Sequence, residues 1–430
     1  MMRYLFYCPF FFLSLFVANA GGQEADPLPW TTAWDAGMDI EFINKAFDEV
    51  DKVIQAKGAP GAVGAIIKDG SFVARRALGN MQSNIIYRSA ETGQITYTPI
   101  PEPMLESTLF DLASVTKMIA TTTSMMILLE RGKIELDKPV CAYIPEFGAR
   151  GKEKIAVRHL LTHTSGLPAW FPFYLDCVNR EEVFQMIYED VDLVYKPGEK
   201  RIYSDLGFIT LGRLVEVVSG ERLDRYAKKN IFEPLGMKDT TYLPWKRERL
   251  YSAPTEYDPL RNRALRGIVH DENARSLGGV SGHAGLFSTV NDLAVFAQML
   301  LNKGEFKGVR ILSEKTIETM LTPQITDEAM KKGSGFLQTR KQLLGWWGMD
   351  DAVTIGDMGG LPSVKAFGHS GFTGTMICID PEHKAAAILL TNAVHPRRED
   401  TQKMKLYNGF YLNVSKSLVG EKNVNAAPQD

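Results

Sequence analysis

The sequence predicts an α/β fold: an antiparallel sheet flanked by helices, with a mainly helical segment inserted into it. Three observations carry this. Near the amino end, an amphipathic helix pattern is followed by two apolar runs that flank Lys68-Asp69-Gly70. Near the carboxyl end, further β-rich runs precede a last helix. Between them, from Ser114 to about residue 235, the pattern is almost all helical. Helix, hairpin and strands drawn from both ends of a chain suit one sheet with helices laid on it.

The elements follow in order. From Asp39, the residues Ile40, Ile43, Phe47, Val50 and Ile54 form one stripe at helical spacing, closed by Gly58 with Pro60 just beyond. Asp-Gly between the next two apolar runs signals a tight hairpin turn. Residues 81–107 are polar and carry Pro99, Pro101 and Pro103, which predicts a long surface loop. A helix from Ser114 to about Arg131 stops at Gly132. VRHLLTH, REEVFQMIYED, DLGFITLGRLVEVVSG and RLDRYAKKNIF continue the helical block, and residues 238–277 read as loops and short helices. Sheet character returns with GGVSGHAGLFST. Thr289 opens a helix to about Leu301, with Asp292 at its third position as a capping-box variant. Residues 323–345 read as loop and turn. AFGHSGFTGTMICIDPEHKAAAILLTN gives two β-rich runs joined at Asp380-Pro381-Glu382-His383, and a helix from about Gln402 to Leu418 closes the pattern. These readings divide the chain into a discontinuous α/β unit over 39–113 and 278–420 and a mainly helical unit over 114–277.

Composition excludes several classes. The chain is 45% hydrophobic and 23% charged with a net charge of −2, and it has no long basic stretch, so a nucleic-acid partner is not expected. The first twenty residues differ from the rest. Arg3, an apolar run over residues 4–17 and Ala18-Asn19-Ala20 form the three parts of a secretory signal cut after Ala20. That predicts an exported protein of the periplasm or cell envelope, with an extended segment over 21–38 ahead of the fold. The run is too short to span a bilayer comfortably, and membrane association follows only if the segment stays uncleaved. Cys141, Cys177 and Cys378 then remain, which allow at most one bridge and form no zinc framework.

Three short stretches carry chemistry. In Ser114-Val115-Thr116-Lys117 the serine and lysine share one helix face, putting an amine within reach of a hydroxyl. The unpaired N–H groups of a helix's first turn favour a developing oxyanion there. The plain alternative is a helix start that happens to hold both residues. Tyr203-Ser204-Asp205 opens the helix DLGFITLGRLVEVV, and an N-cap alone explains Ser204 or Asp205. A functional reading has Tyr203 facing Ser114, so that phenol and amine share the nucleophile's proton. His369-Ser370-Gly371 lies at the start of a predicted strand, where small residues let a substrate lie along the edge. The alternative is a satisfied strand-end histidine.

An S-x-x-K helix, a Y-S-D turn in a helical block and an H-S-G strand, in that order, resemble the penicillin-recognising serine hydrolases. Tyrosine in the second element, with HLLTHTSGLP and GGVSGHAGLFST, points to the class C β-lactamase and D,D-peptidase branch. IYSD, VHDENARSLGGVSGHAGLFS and FGHSGFTGT are most similar to the penicillin-binding protein 4B type. The resemblance covers about Asp39 to Leu418. It implies a β-lactamase/transpeptidase-like fold with a cleft where the α/β and helical parts meet. It implies that Ser114 attacks a carbonyl and forms an acyl-enzyme. Lys117, its pKa lowered by burial and neighbours, would take the proton directly or through Tyr203. The N–H groups of Ser114 and Phe372 would form the oxyanion hole, and Asp205, His369, Ser370 and Gly371 would contact substrate. No cofactor or metal is implied. The implied partners are peptidoglycan peptides or another small molecule, with β-lactams as covalent ligands. A D,D-carboxypeptidase-like enzyme is the first reading, an esterase or β-lactamase the second, and a non-catalytic cell-wall binding protein the third.

Two residues depart from the usual pattern. Asp205 stands where asparagine is common, and a carboxylate donates no hydrogen bond unless protonated, so it is free to pair with Lys117 instead. His369 replaces a lysine, and a neutral imidazole attracts a substrate carboxylate less than an ammonium does. Other signals read as structural. His159 and His163 have the i, i+4 spacing of a zinc helix, but Leu160 fills the place of its glutamate. His283 sits in a glycine-rich strand turn. Trp346-Trp347 could stack on a ligand, though buried packing is the expectation.

Overall fold

The computed structural model describes residues 25–89, 92–244, 248, 250–325, 340–348 and 360–421. The expected signal over residues 1–20 and residues 326–339 of the expected loop lie outside the described residues. Helix α1 (Ile40–Gln55) starts at Asp39, whose carboxylate accepts the Glu41 N–H, and it buries Ile43, Phe47 and Val50. Strands β1 (Gly61–Lys68) and β2 (Ser71–Arg88) are joined through Asp69 and Gly70, with φ 49° and 83°. Such a left-handed pair matches the twist of a two-residue hairpin.

Residues 81–107 are not the loop that their polarity and prolines predict. β2 runs on to Arg88, and β3 (Ile95–Pro103) returns antiparallel beside it. β3 is the outermost strand of its sheet, where one side of the backbone makes no ladder and proline is tolerated.

The chain then leaves the sheet. β4 (Phe110–Asp111) leads to a 3-10 turn at Ala113–Val115, a π-helical turn at Lys117–Thr122 and helix α2 (Thr123–Glu130). The helix expected from Ser114 is present, but its opening is not α-helical, and π turns recur at functional sites. Next come α3 (Arg180–Glu189), α4 (Asp205–Ser219), β5 (Thr241–Tyr242), α5 (Glu272–Ser276) and β6 (Leu286–Ser288). β6 pairs with β4 and β5 in a separate three-stranded sheet, so GGVSGHAGLFST serves that sheet and not the main one. Thr289 caps α6 (Val290–Leu301) by accepting the Asp292 N–H at 3.3 Å. The Asp292 carboxylate turns instead to the Asp239 N–H and the Thr240 hydroxyl, so the capping box is one-sided.

Four strands complete the main sheet: β7 (Trp347–Gly348), β8 (Phe367–Ser370), β9 (Met376–Asp380) and β10 (Ala385–Thr391). The last β-rich stretch therefore forms three strands where two were expected, and His369-Ser370 closes β8 rather than opening a strand. The spatial order is β7-β8-β9-β10-β1-β2-β3, every neighbour antiparallel. Helix α7 (Lys403–Val419) packs on α1.

Alternate residues of the central strands feed two cores, as the two-residue period of a strand requires. Ala62 and Ile66 of β1, with Ala387 and Leu389 of β10, meet Phe47, Phe410 and Tyr411 on the α1/α7 side. A side chain at Gly64 would come within 2.8 Å of the Phe47 ring. Val63, Ala65 and Ile67, with Ala386, Ile388 and Leu390, face a second cluster that runs through α2, α4 and α6. The helical region is thus seated on one face of the sheet, and the site lies along that junction.

Candidate active site

Ser114 is presented by strained backbone. Ala113 has φ +45°, a conformation that residues with a Cβ rarely adopt. Asp111 holds it there: one carboxylate oxygen accepts the Ala113 N–H at 2.9 Å and the other the His270 N–H at 2.6 Å. Burial pushes the Asp111 carboxyl up, against these two hydrogen bonds that favour its charge. The turn after β8 is fastened to the same segment. Thr373 donates to Asp111 O at 2.7 Å and Thr375 to Leu112 O at 3.0 Å. Gly371 must be glycine for this approach, because a Cβ would collide with Leu112 O and the Thr375 hydroxyl. These bonds bring Ser370-Gly371-Phe372 against the turn that carries Ser114.

Lys117 is fully buried, and its ammonium nitrogen donates to two oxygens and forms an ion pair with a third. Its Nζ lies 2.9 Å from Ser114 Oγ, 3.1 Å from the main-chain oxygen of His283 and 2.8 Å from Asp205 Oδ1. The Tyr203 ring is centred 4.9 Å away, and its phenol is close enough to the Ser114 and Lys117 side chains to be influenced by both. Lys117 departs from the lowered pKa that the resemblance implies. Burial does favour the neutral amine, but the Asp205 charge, with the contacts to Asp205 and Tyr203, outweighs it and holds the Lys117 pKa above the ordinary value. Desolvation also raises the Tyr203 phenol, with Lys117 opposing. The resting site therefore holds an ammonium and a neutral phenol. Asp205, expected at the substrate, has its carboxylate committed to the lysine.

His369 is fully buried, its ring tilted against that of Trp347 at 4.0 Å and 6.0 Å from the Tyr203 ring. Its Nδ1–H donates to Ser370 O at 2.8 Å, and its buried Nε2 has no hydrogen-bond partner. Burial, then the nearby Lys117 cation, push its pKa down to about 3, so the ring is neutral. Trp346 and Trp347 are both buried, as packing predicts. His163 stacks 4.4 Å from Tyr203 and accepts the Ser204 N–H at Nδ1, 3.0 Å away, while His159 accepts the Ala156 N–H at 3.1 Å. The pair with zinc-like spacing is thus divided between two local tasks, one of them holding the Tyr203-Ser204 turn. Ser204 caps α4, its hydroxyl accepting the Gly207 N–H. Phe372 is 47% exposed, stacks on His270 at 5.6 Å and accepts from Lys403 Nζ at 3.0 Å.

Ser114, Lys117, Tyr203 and Asp205 are therefore joined in one cluster, with His369 tilted against its tyrosine and Gly371-Phe372 fastened beside its serine. The sequence reading missed His163, His283 and Asp271 as neighbours of this cluster. Their signal lay in HLLTHTSGLP and VHDENARSLGGVSGHAGLFS, which were noted only as similar stretches.

Such a cluster, at the junction of an antiparallel sheet and a helical block, suits a serine hydrolase. Residues 47–408 match the family described as Beta-lactamase. The chain is 33% identical over 385 residues to the N-acetylmuramyl-L-alanine amidase of Bacillus subtilis strain 168, covering 83% of this chain and 82% of that protein. It is 33% identical over 398 residues to the putative D-alanyl-D-alanine carboxypeptidase of Escherichia coli K12, covering 86% of each. Among solved structures, the octameric penicillin-binding protein homologue from Pyrococcus abyssi matches with TM-score 0.62 and 26% identity, over 89% of this chain and 79% of that one. The chain belongs to the beta-lactamase family, has its β-lactamase/transpeptidase-like fold and is a serine hydrolase.

Proposed function

We propose that this chain is an exported D,D-carboxypeptidase that acylates Ser114 with D-alanyl peptides of peptidoglycan. The observation that carries the reading is the 2.9 Å hydrogen bond from Lys117 Nζ to Ser114 Oγ, with the Tyr203 ring centred 4.9 Å from the same nitrogen. The Escherichia coli relative, with D-alanyl-D-alanine carboxypeptidase in its name, supports the substrate class. In the form whose Lys117 has given its proton to solvent, Ser114 Oγ attacks the carbonyl of the penultimate D-alanine, and the serine proton passes to the free amine directly or through Tyr203. Asp205 balances the charge of the lysine throughout. The N–H groups of Ser114 and Phe372 receive the oxyanion. The departing D-alanine takes a proton back from the pair, and water then cleaves the Ser114 ester. β-Lactams would enter the same acylation step and stay as covalent ligands. The apolar run and A-x-A site in residues 1–20 support export to the periplasm or cell envelope.

A second reading, an esterase or β-lactamase on this scaffold, draws on His369. A neutral ring offers no ammonium to a terminal carboxylate, so a substrate without one would lose less here. Release of free D-alanine from a lysyl-D-alanyl-D-alanine peptide, run beside a p-nitrophenyl ester and nitrocefin, separates the two. The proposal expects D-alanine release that disappears in Ser114→Ala. Rapid turnover of the ester or nitrocefin with no D-alanine release contradicts it.

A further inference from the structure

One neighbour of Lys117 is held by a device that the acyl-transfer cluster leaves unexplained. Besides Ser114 Oγ, the lysine donates to the main-chain oxygen of His283, in a segment with glycine at 278, 279, 282 and 285. Glycines give a backbone little side-chain anchorage. Anchorage comes from the imidazole of His283, which is buried and tied at both nitrogens. Nε2 lies 2.8 Å from Asp271 Oδ1, and Nδ1 lies 2.7 Å from the Ser281 hydroxyl. A carboxylate only accepts, so Nε2 carries the proton and the serine hydroxyl serves Nδ1. The preceding carbonyl, Gly282 O, accepts from Thr121 at 2.7 Å, so two successive carbonyls dock on the π turn that carries Lys117.

Asp271 is fixed in turn. It caps α5, accepting the Ala274 N–H at 2.7 Å, and follows His270, whose N–H binds Asp111 and whose ring stacks on Phe372. Desolvation works to raise the Asp271 pKa, but His283 above all, then the Ala274 N–H and Lys117, hold the carboxyl well below the usual range. His270-Asp271 is therefore linked to the backbone behind Ser114, to Phe372, and through His283 to Lys117.

We propose that Asp271 and His283 are positioning residues of the acyl-transfer centre: Asp271 clamps the His283 ring, and the clamped residue presents its carbonyl as the acceptor that aims Lys117 at Ser114. This rests on the reading of Ser114 and Lys117 as nucleophile and proton carrier. When the ring is unhooked, the carbonyl drifts. The ammonium then swings toward Asp205 and its alignment with Ser114 Oγ is lost, while the surface that receives substrate is unchanged.

The test uses the full chain, with fluorescent penicillin and a p-nitrophenyl ester as acyl donors, and measures the binding constant and the acylation rate constant separately. Asp271→Ser keeps a side chain able to cap α5 but too short to reach His283, whereas Asp271→Asn keeps both the cap and an acceptor for Nε2–H. The expected result is an acylation rate constant roughly 10- to 100-fold lower in Asp271→Ser and in His283→Ala, with the binding constant unchanged. Asp271→Asn and His283→Gln should recover the rate to within about threefold of wild type, and Asp271→Ser combined with His283→Ala should be no slower than either alone. Wild-type rates in Asp271→Ser overturn the proposal, as does a loss that Asp271→Asn shares in full or that appears equally in binding. If His283→Ala fails to fold, Asp271→Ser against Asp271→Asn decides alone. A wild-type protein inert toward both donors, or one that reacts equally well as Ser114→Ala, overturns the reading of Ser114 and this proposal with it. Normal wild-type acylation with unaffected variants overturns this proposal only.

Discussion

Lys117 Nζ lies 2.8 Å from Asp205 Oδ1, and the lysine of this ion pair has no exposed side-chain surface. The pair joins the S-x-x-K turn to the start of α4. It places beside Lys117 a negative charge where asparagine is usual in the resembled pattern, and that charge favours the protonated lysine.

Asp205→Asn should therefore shift the acidic limb of the acylation pH profile to lower pH. Asp205 raises the Lys117 pKa, so removing its charge lowers that pKa and makes the free amine available at lower pH. Acylation rates by fluorescent penicillin from pH 5 to 10 check this. A limb that stays in place, or moves upward, contradicts it.

His369→Lys rebuilds the common third motif and should still not improve the enzyme. The residue is sealed between Trp347 and Tyr203, near a cation already at Lys117. A second buried ammonium without a partner should destabilise the fold by roughly 3–5 kcal/mol. Urea denaturation and acylation rates read the outcome, and faster acylation at unchanged stability would refute it.

Gly371→Ala should separate the turn after β8 from Ser114. The added methyl meets Leu112 O, a backbone atom with little room to move. A loss of roughly 1–3 kcal/mol in stability, with a clear loss of acylation, is expected. Retained activity and midpoint would show that the close approach is not required.

Asp292→Asn should stabilise the protein, and more so as pH rises. Burial pushes the Asp292 carboxyl up to about 7, against the hydrogen bond from Thr240. Its folded pKa lies above the unfolded value, so the native state holds the extra proton between about pH 4 and 7 and loses stability as pH rises through that window. Asparagine keeps an acceptor without the charge. The Tm difference between variant and wild type should widen from pH 4.5 to pH 8, and a constant or narrowing difference contradicts this.

The sequence was most legible where one residue type answers to one local rule. Asp69-Gly70 fixed the hairpin because both positions need positive φ. The stripe from Ile43 to Val50 fixed α1, and the S-x-x-K, Y-S-D and H-S-G stretches were enough to find the cluster around Lys117. Polarity misled at 81–107, because an edge strand has one open side and tolerates the prolines that exclude a central one. The raised pKa of Lys117 was illegible, since burial and Asp205 act in opposite senses and only their geometry decides the sum. His283 was read as structural, and its contact with the lysine was illegible because it is made by a backbone oxygen, which no side-chain pattern announces.

The most direct test of the account is intact-mass analysis after exposure to a penicillin, with the modified peptide located by fragmentation. The account predicts a single adduct of the whole penicillin on Ser114 in the wild-type protein and none in Ser114→Ala. An unmodified wild-type protein, or an adduct that persists unchanged in Ser114→Ala, would contradict it.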